Sequence, residues 1–278
     1  MSILYVVATP IGNMGDISSR AVEILCGSNF IIAEDTRVTG MFLKNLGIRT
    51  RIVSCHKFSE RDKADSILDM IGEEDIVSLV TDAGTPCISD PGYIIVDRAY
   101  ARGIEVRAVP GASAVISALS VSGFDLDRFS FFGFLPRKSG DILKVLGEVS
   151  NVTVFYESPK RILDTLTIIS QNYSDSMLCV VNDMTKLHEK IYRGSASEVL
   201  EELSLNPKHD LGEYAIVYQP PKREEVVEDE QMSLEGLIVD KMTRLGVDIT
   251  TACDMLQADG YKRNDVYSAK LNLKKLFD

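Results

Sequence analysis

Short runs of apolar, β-branched residues alternate with stretches whose apolar positions recur at helical spacing, and this alternation organises residues 1–221. Ile3–Ala8, Phe30–Ala33, Arg51–Ser54, Ile76–Val80 and Glu105–Val109 read as strands. Between and after them, Ile17–Cys26, Gly40–Leu46, Glu60–Ile71, Ile94–Arg102 and Ala114–Ser120 read as helices, the first with Ala21, Ile24 and Leu25 on one face. Uninterrupted apolar strands that alternate with helices predict a mostly parallel sheet covered on both sides.

A turn-rich break at Gly123–Asp127 precedes a second series. Phe129–Phe134, Val152–Tyr156, Met177–Val181, Ile191–Arg193 and Tyr214–Tyr218 read as strands, and Asp141–Glu148, Pro159–Ser170 and Ser197–Leu203 as helices. The closer, hairpin-like spacing here predicts a mixed sheet. Residues 222–235 hold two basic against six acidic residues and read as a solvated linker. Beyond it Leu234–Leu245, Thr250–Ala258 and Arg263–Leu273 read as short helices, the last two like a helix-turn-helix. The expected division is therefore 1–122, 123–221, an acidic linker 222–235 and a helical domain 236–278: an α/β chain with a small helical tail.

Composition narrows the function. At 278 residues, 45% hydrophobic and 26% charged, the chain has the make-up of a soluble globular protein. Its net charge of −11 excludes a general polyanion binder, because phosphate affinity comes from Lys and Arg. Locally the balance differs. Residues 36–59 carry Arg37, Lys44, Arg49, Arg51 and Lys57, with His56, and no acid. The five cysteines and three histidines are scattered, so reduced thiols and no metal are expected. The N-terminal run reads as a strand broken at Pro10 rather than a signal peptide, and no apolar stretch is long enough to span a bilayer, which predicts a cytoplasmic protein.

No dinucleotide G-x-G-x-x-G follows the first strand, and the chain has neither a P-loop nor a G-x-S-x-G elbow. Four other loops each follow a predicted strand, where open α/β sheets place ligands. They are Thr9–Asp16, with Asp16 positioned to cap the next helix; Ala33–Arg37, dense in charge; Thr81–Gly92, rich in turn formers; and Val109–Ala114. Any one of them could be ordinary turn chemistry. Four at successive strand ends point to a ligand cleft, and the small residues of the third suit a flat ring and a carboxylate better than a triphosphate.

These stretches identify a resemblance. ATPIGNMGD (Ala8–Asp16), AEDTRVTG (Ala33–Gly40), TDAGTPCISDPG (Thr81–Gly92), PGASA (Pro110–Ala114), GFLPRK (Gly133–Lys138), FYESPKR (Phe155–Arg161) and GEY (Gly212–Tyr214) occur in the order found in the tetrapyrrole (corrin/porphyrin) methylase superfamily of S-adenosylmethionine-dependent methyltransferases. The chain resembles the subgroup that methylates the 2′-oxygen of a cytidine in the decoding region of 16S ribosomal RNA. The resemblance implies two α/β domains meeting at a cleft, S-adenosylmethionine held between them, a homodimer, and 16S rRNA or the small ribosomal subunit as substrate. Position by position it implies cofactor contacts at Pro10, Ile11, Thr85, Ile88, Gly111, Ala112 and Tyr156. Two departures remove positive charge: Asn182-Asp183-Met184-Thr185-Lys186 stands where the subgroup has Arg-Glu-Leu-Thr-Lys, and Ser139-Gly140-Asp141 where it has a basic run.

A ribose hydroxyl is a weak nucleophile, so a base beside the cleft should assist. The carboxylates available are Glu34, Asp35, Asp82, Asp90 and Glu157, and the catalytic set expected is Glu34, Asp35 and Arg37. Arg37 would keep a neighbouring carboxylate ionised or grip a substrate phosphate, or else form with Asp35 a structural pair that caps the loop. Asp82 and Asp90 read as turn caps. Two other functions stay open: C-methylation of a tetrapyrrole precursor, and a non-catalytic cofactor-binding regulator using its terminal helices on nucleic acid. The near-balanced charge of residues 236–278, seven basic against six acidic, weighs against the regulator.

Overall fold

Five parallel strands, β1 (Ile3–Val7), β2 (Phe30–Ala33), β3 (Ile52–Ser54), β4 (Ile76–Val80) and β5 (Glu105–Val109), form the first sheet in the order β3-β2-β4-β1-β5. Ile3 of β1 stands beside Ile76 on one side and Glu105 on the other. The computed structural model of the chain describes residues 1–56, 59–221 and 233–277. Most of the predicted acidic linker and Lys57 of the basic stretch lie outside the described residues.

Both faces of this sheet are covered, as its apolar strands require. Helices α1 (Ser19–Gly27) and α2 (Thr36–Asn45) lay Ala21, Leu25 and Leu43 on the face that carries Val7, Ile31 and Val80. On the other face α3 (Glu60–Leu68) and α4 (Tyr93–Ala101) set Ala64, Ile67, Ile95 and Ala99 against Leu4, Ile32 and Leu79. Adjacent strands β1 and β4 thus send their chains to opposite faces. A crevice opens between their carboxyl ends, the position at which open parallel sheets bind ligands.

The second sheet is mixed. Strands β6 (Phe129–Phe134), β7 (Val152–Glu157), β8 (Met177–Asn182), β9 (Lys190–Ser195) and β10 (Tyr214–Gln219) run in the order β6-β7-β10-β8-β9. Only β6 and β7 pair in parallel; the other three pairings are antiparallel. Helices α6 (Ser139–Glu148), α7 (Ile162–Asn172) and α8 (Ala196–Ser204) cover one face through Leu146, Leu166, Ile169 and Leu203. The opposite face receives α5 (Ala114–Ser122), whose Val115, Ala118 and Leu119 pack on Val154, Val181 and Val217. The helix that follows the first sheet therefore belongs to the core of the second, which ties the two halves together beside the crevice.

The chain divides into two compact units, Met1–Pro221 and Lys222–Asp278. In the second, α9 (Leu234–Leu245), α10 (Ile249–Ala258) and α11 (Arg263–Phe277) enclose a small core of Ile238, Ala252, Leu256, Val266 and Leu273. Asp248 caps α10 by accepting the N–H groups of Thr250 and Thr251 at 2.9 and 2.8 Å. Arg263, Lys274 and Lys275 of α11 are exposed. Among the described residues no helix is long and apolar enough to cross a membrane.

Candidate active site

Three of the four strand-end loops are knitted together by hydrogen bonds. Thr9 and Gly84 exchange N–H to carbonyl bonds at 2.9 and 3.1 Å, a two-residue bridge between the loops after β1 and β4. The Thr85 hydroxyl donates to the carbonyl of Ala112 at 3.1 Å, joining the loop after β4 to that after β5. Gly111 lies so close to the end of β1 that a Cβ on it would stand 2.9 Å from the Ala8 Cβ. Asp16, expected to cap the first helix, does not: it ends a 3-10 turn opened by Asn13, and the Ser18 hydroxyl accepts the Ala21 N–H at 3.1 Å instead. The hydroxyl stands one residue before the helix, where the geometry of an N-cap requires its acceptor.

In front of these loops lies a cavity of about 600 Å³, within the range of small-molecule sites. The first half contributes Ile11, Thr85 and Ile88; the second faces them with Phe134, Tyr156 and Met184. Phe134 and Tyr156 meet edge to face, with ring centroids 5.6 Å apart. Burial pushes the Tyr156 phenol up to about 12, so it stays a neutral wall. Five acidic residues line the cavity, Glu34, Asp82, Asp90, Glu157 and Glu213, and among the described residues no Lys or Arg does.

Of the residues expected from sequence, Ile11, Thr85, Ile88, Tyr156 and Glu34 line this cavity together. Pro10 and Ala112 are chain neighbours of the lining residues Ile11 and Ser113, Gly111 stands two residues before Ser113, and none of the three lines the cavity itself. Asp35 and Arg37 stand outside the lining and hold one another. The Asp35 carboxylate accepts from Arg37 Nε at 3.1 Å and Nη2 at 2.6 Å, and from the Arg37 backbone N–H at 2.8 Å. These bonds hold its carboxyl well below the usual carboxylate range, and Asp35 is the N-cap of α2. The helix therefore starts at Thr36 rather than at Gly40, where its apolar spacing begins, because the cap and first turn are polar. Arg37 itself is 88% exposed.

The remaining carboxylates differ in their surroundings. Asp82 accepts the Asp35 N–H through Oδ1 at 3.2 Å. Burial raises its pKa, and the neighbouring charges of Asp35 and Asp90 raise it further. Glu34 Oε2 accepts from the Thr81 hydroxyl at 3.3 Å. Glu157, 2% exposed, is consumed by structure: it accepts from Arg161 Nε and Nη2 at 2.8 Å each, from the Thr165 hydroxyl at 2.7 Å and from the Ser158 N–H at 2.7 Å. Asp82, read from sequence as a turn cap, accepts instead from the loop after β2, and it is among the residues that line the cavity.

Phe134, Met184 and Glu213 carry no individual signal in the sequence, although each lies in a stretch noted there, GFLPRK, NDMTK and GEY. The basic stretch does not form one patch. Arg37 and His56 belong to the cavity end of the sheet, at the start of α2 and after β3. Lys44 ends α2, and Arg49 and Arg51 precede β3, at the opposite end. Among the described residues no group of three His, Cys, Asp or Glu side chains is placed to hold a metal ion.

Comparison with known proteins adds four findings. The family described as Tetrapyrrole (Corrin/Porphyrin) Methylases matches residues 3–200. A Thermotoga maritima protein named ribosomal RNA small subunit methyltransferase I is 41% identical over 78% of this chain and 98% of its own. The protein of that name from Escherichia coli O157:H7 is 36% identical over 96% of this chain and 94% of its own. A crystal structure of diphthine synthase superposes with a TM-score of 0.59 at 14% identity, over 79% of this chain and 90% of its own, which is likeness of fold.

Proposed function

We propose a function from the premise that the chain belongs to the tetrapyrrole (corrin/porphyrin) methylases and, among them, to the ribosomal RNA small subunit methyltransferase I proteins: it transfers a methyl group from S-adenosylmethionine to RNA of the small ribosomal subunit. The finer proposal is methylation of the 2′-oxygen of a cytidine in the decoding region of 16S rRNA. What carries the RNA reading is the relationship at 36% identity along nearly the whole chain, helical tail included. The same reading takes residues 1–122 and 123–221 as the two α/β domains, with α5 at the end of the first packed into the core of the second, and the protein as a cytoplasmic homodimer.

The cavity suits the donor on physical grounds. S-adenosylmethionine combines a flat purine, a ribose, a sulfonium, an ammonium and one carboxylate, a net cation. Arg161 and Lys186 pair with Glu157 and Glu213, while Asp82 and Asp90 make no ion pair with a Lys or Arg among the described residues and favour that charge; Ile11, Ile88, Phe134 and Met184 offer apolar faces to the ring. Gly111 packs so closely on Ala8 that a side chain there would displace the loop after β5 that brings Ser113 to the cavity. Pro10, Ile11, Thr85, Ile88, Gly111, Ala112 and Tyr156 are proposed to hold the donor, which when bound supplies an electrophilic methyl group.

The chain's own residues then divide the work. Asp82 takes the proton of the attacking ribose hydroxyl, since burial makes it a stronger base than a surface carboxylate. Glu34, braced by Thr81, orients the ribose. Asp35 holds Arg37 at the rim, where the guanidinium's remaining N–H groups engage a backbone phosphate. A tetrapyrrole precursor, rich in carboxylates, is disfavoured by the acidic wall. Arg37→Ala is expected to raise the apparent KM for small subunits about tenfold, a phosphate contact's worth, with cofactor affinity unchanged. Steady-state methylation with labelled donor measures it; an unchanged KM would remove Arg37 from the RNA contact.

A further inference from the structure

We propose that Glu60 is a positioning residue for the cofactor, acting through the loop 81–92 that it anchors from behind. This rests on the reading of the cavity as the S-adenosylmethionine site. Glu60 is the first residue of α3 and only 2% exposed. Carboxylates are almost never buried so fully unless they are paired with a cation. Among the described residues Glu60 makes no ion pair. Its Oε1 instead accepts three backbone N–H groups, from Gly92 at 3.0 Å, Ile94 at 3.0 Å and Ile95 at 3.2 Å.

Those three donors open α4, the helix that ends the loop. Helix N-termini present unpaired N–H groups and a positive dipole end, usually met by the side chain of the N-cap residue. Here the N-cap is Gly92, with φ of 134° and no side chain to offer, so a carboxylate from another helix supplies the cap. A residue with a side chain cannot replace this glycine: a Cβ would stand 2.8 Å from Cys87 Sγ and 3.0 Å from Leu79 Cδ2. Cys87, itself at φ of 70°, folds the loop back onto Gly92. Burial pushes its thiol up to about 11, which keeps it neutral.

The loop is therefore held at two points. Its front is fixed by the Thr9–Gly84 bridge and its back by Glu60. Between these anchors Thr85, Ile88, Ser89 and Asp90 present themselves to the cavity. Glu60 lies outside the lining and touches no ligand space, so its effect on the donor passes through the loop's shape. Loss of its charge releases one anchor, and residues 85–90 then sample positions that fit the donor poorly.

The test uses the full chain and compares Glu60→Gln and Glu60→Ala with the wild type, titrating S-adenosylmethionine at about 25 °C on folded protein. Glu60→Gln keeps the shape and one acceptor oxygen, and is expected to weaken donor binding about tenfold; Glu60→Ala should weaken it further. At saturating donor kcat should stay within about twofold, because a group acting only through binding shifts KM alone. Hydrogen exchange of Glu60→Gln should accelerate in residues 85–95 and not elsewhere. Donor affinity equal to wild type in folded Glu60→Gln would overturn the proposal, as would exchange that rises uniformly, the mark of a purely structural cap. A wild type that binds no S-adenosylmethionine would overturn the underlying reading of the cavity instead.

Discussion

Asp82→Asn is expected to slow methyl transfer about 100- to 1,000-fold, the range for removal of a general base, while donor affinity stays within about twofold. Asparagine keeps the Oδ1 that accepts the Asp35 N–H at 3.2 Å, so the bridge between the loops after β4 and β2 survives. What disappears is the site for the ribose proton. Asp35 cannot substitute, because Arg37 and the first turn of α2 hold its carboxyl far below the usual range. Glu157 cannot either, since Arg161 and Thr165 occupy both of its oxygens. The same assignment fixes a pH dependence. A base must be deprotonated, and burial raises the Asp82 pKa above its ordinary value. Turnover should therefore be level at neutral pH and above, and fall on acidification at a higher pH than an ordinary aspartate would give. The residual rate of the Asp82→Asn protein should lose that inflection. A pH–rate profile in saturating donor reads both, and wild-type turnover in Asp82→Asn would transfer the role to Glu34.

Gly111→Val should abolish useful donor binding, with a loss of about 10- to 100-fold or more in affinity. The branched side chain would have to share space with the Ala8 Cβ at 2.9 Å and the Ala8 carbonyl oxygen at 3.3 Å. Ala8 is buried at the end of β1 and cannot retreat, and forcing extra methyl groups into a packed site costs about 1–3 kcal/mol. The loop after β5 must then move, and with it the Ala112 carbonyl that receives the Thr85 hydroxyl. Gly27→Ala is the matched control. It has nothing within 4 Å of its Cβ position and should leave binding unchanged. Calorimetric titration of donor into each variant decides the point, and near-normal affinity in Gly111→Val would place the donor away from this loop.

The central strands are legible because burial on both faces leaves little room for polar residues within them. Phe30–Ala33 and Ile76–Val80 have the limits their apolar runs predict. So do the edge strands Glu105–Val109 and Phe129–Phe134, where β-branched and aromatic residues mark the run. Elements whose ends depend on capping are less legible. α2 starts four residues before its first expected position, since Asp35-Thr36-Arg37 reads as a charged loop whether or not it caps a helix. β9 extends to Lys190 and Ser195 because pairing with β8 defines an edge strand, and its exposed positions need not be apolar. At the site, turn chemistry at strand ends picks out the four loops. It does not assign Phe134, Met184 and Glu213, because their place depends on α5 packing across onto the second sheet. Such a long-range arrangement leaves no local periodicity. Charge is equally ambiguous. The basic run 36–59 is contiguous in sequence, yet a helix and the turn into β3 carry its members to opposite ends of the sheet.

The most direct measurement is to incubate the protein with methyl-labelled S-adenosylmethionine and small ribosomal subunits, then map the labelled nucleotide. The proposed function predicts a single labelled cytidine in the decoding region of 16S rRNA, with the methyl group on the 2′-oxygen. Unlabelled RNA, with label appearing instead on a tetrapyrrole precursor such as uroporphyrinogen, would contradict it.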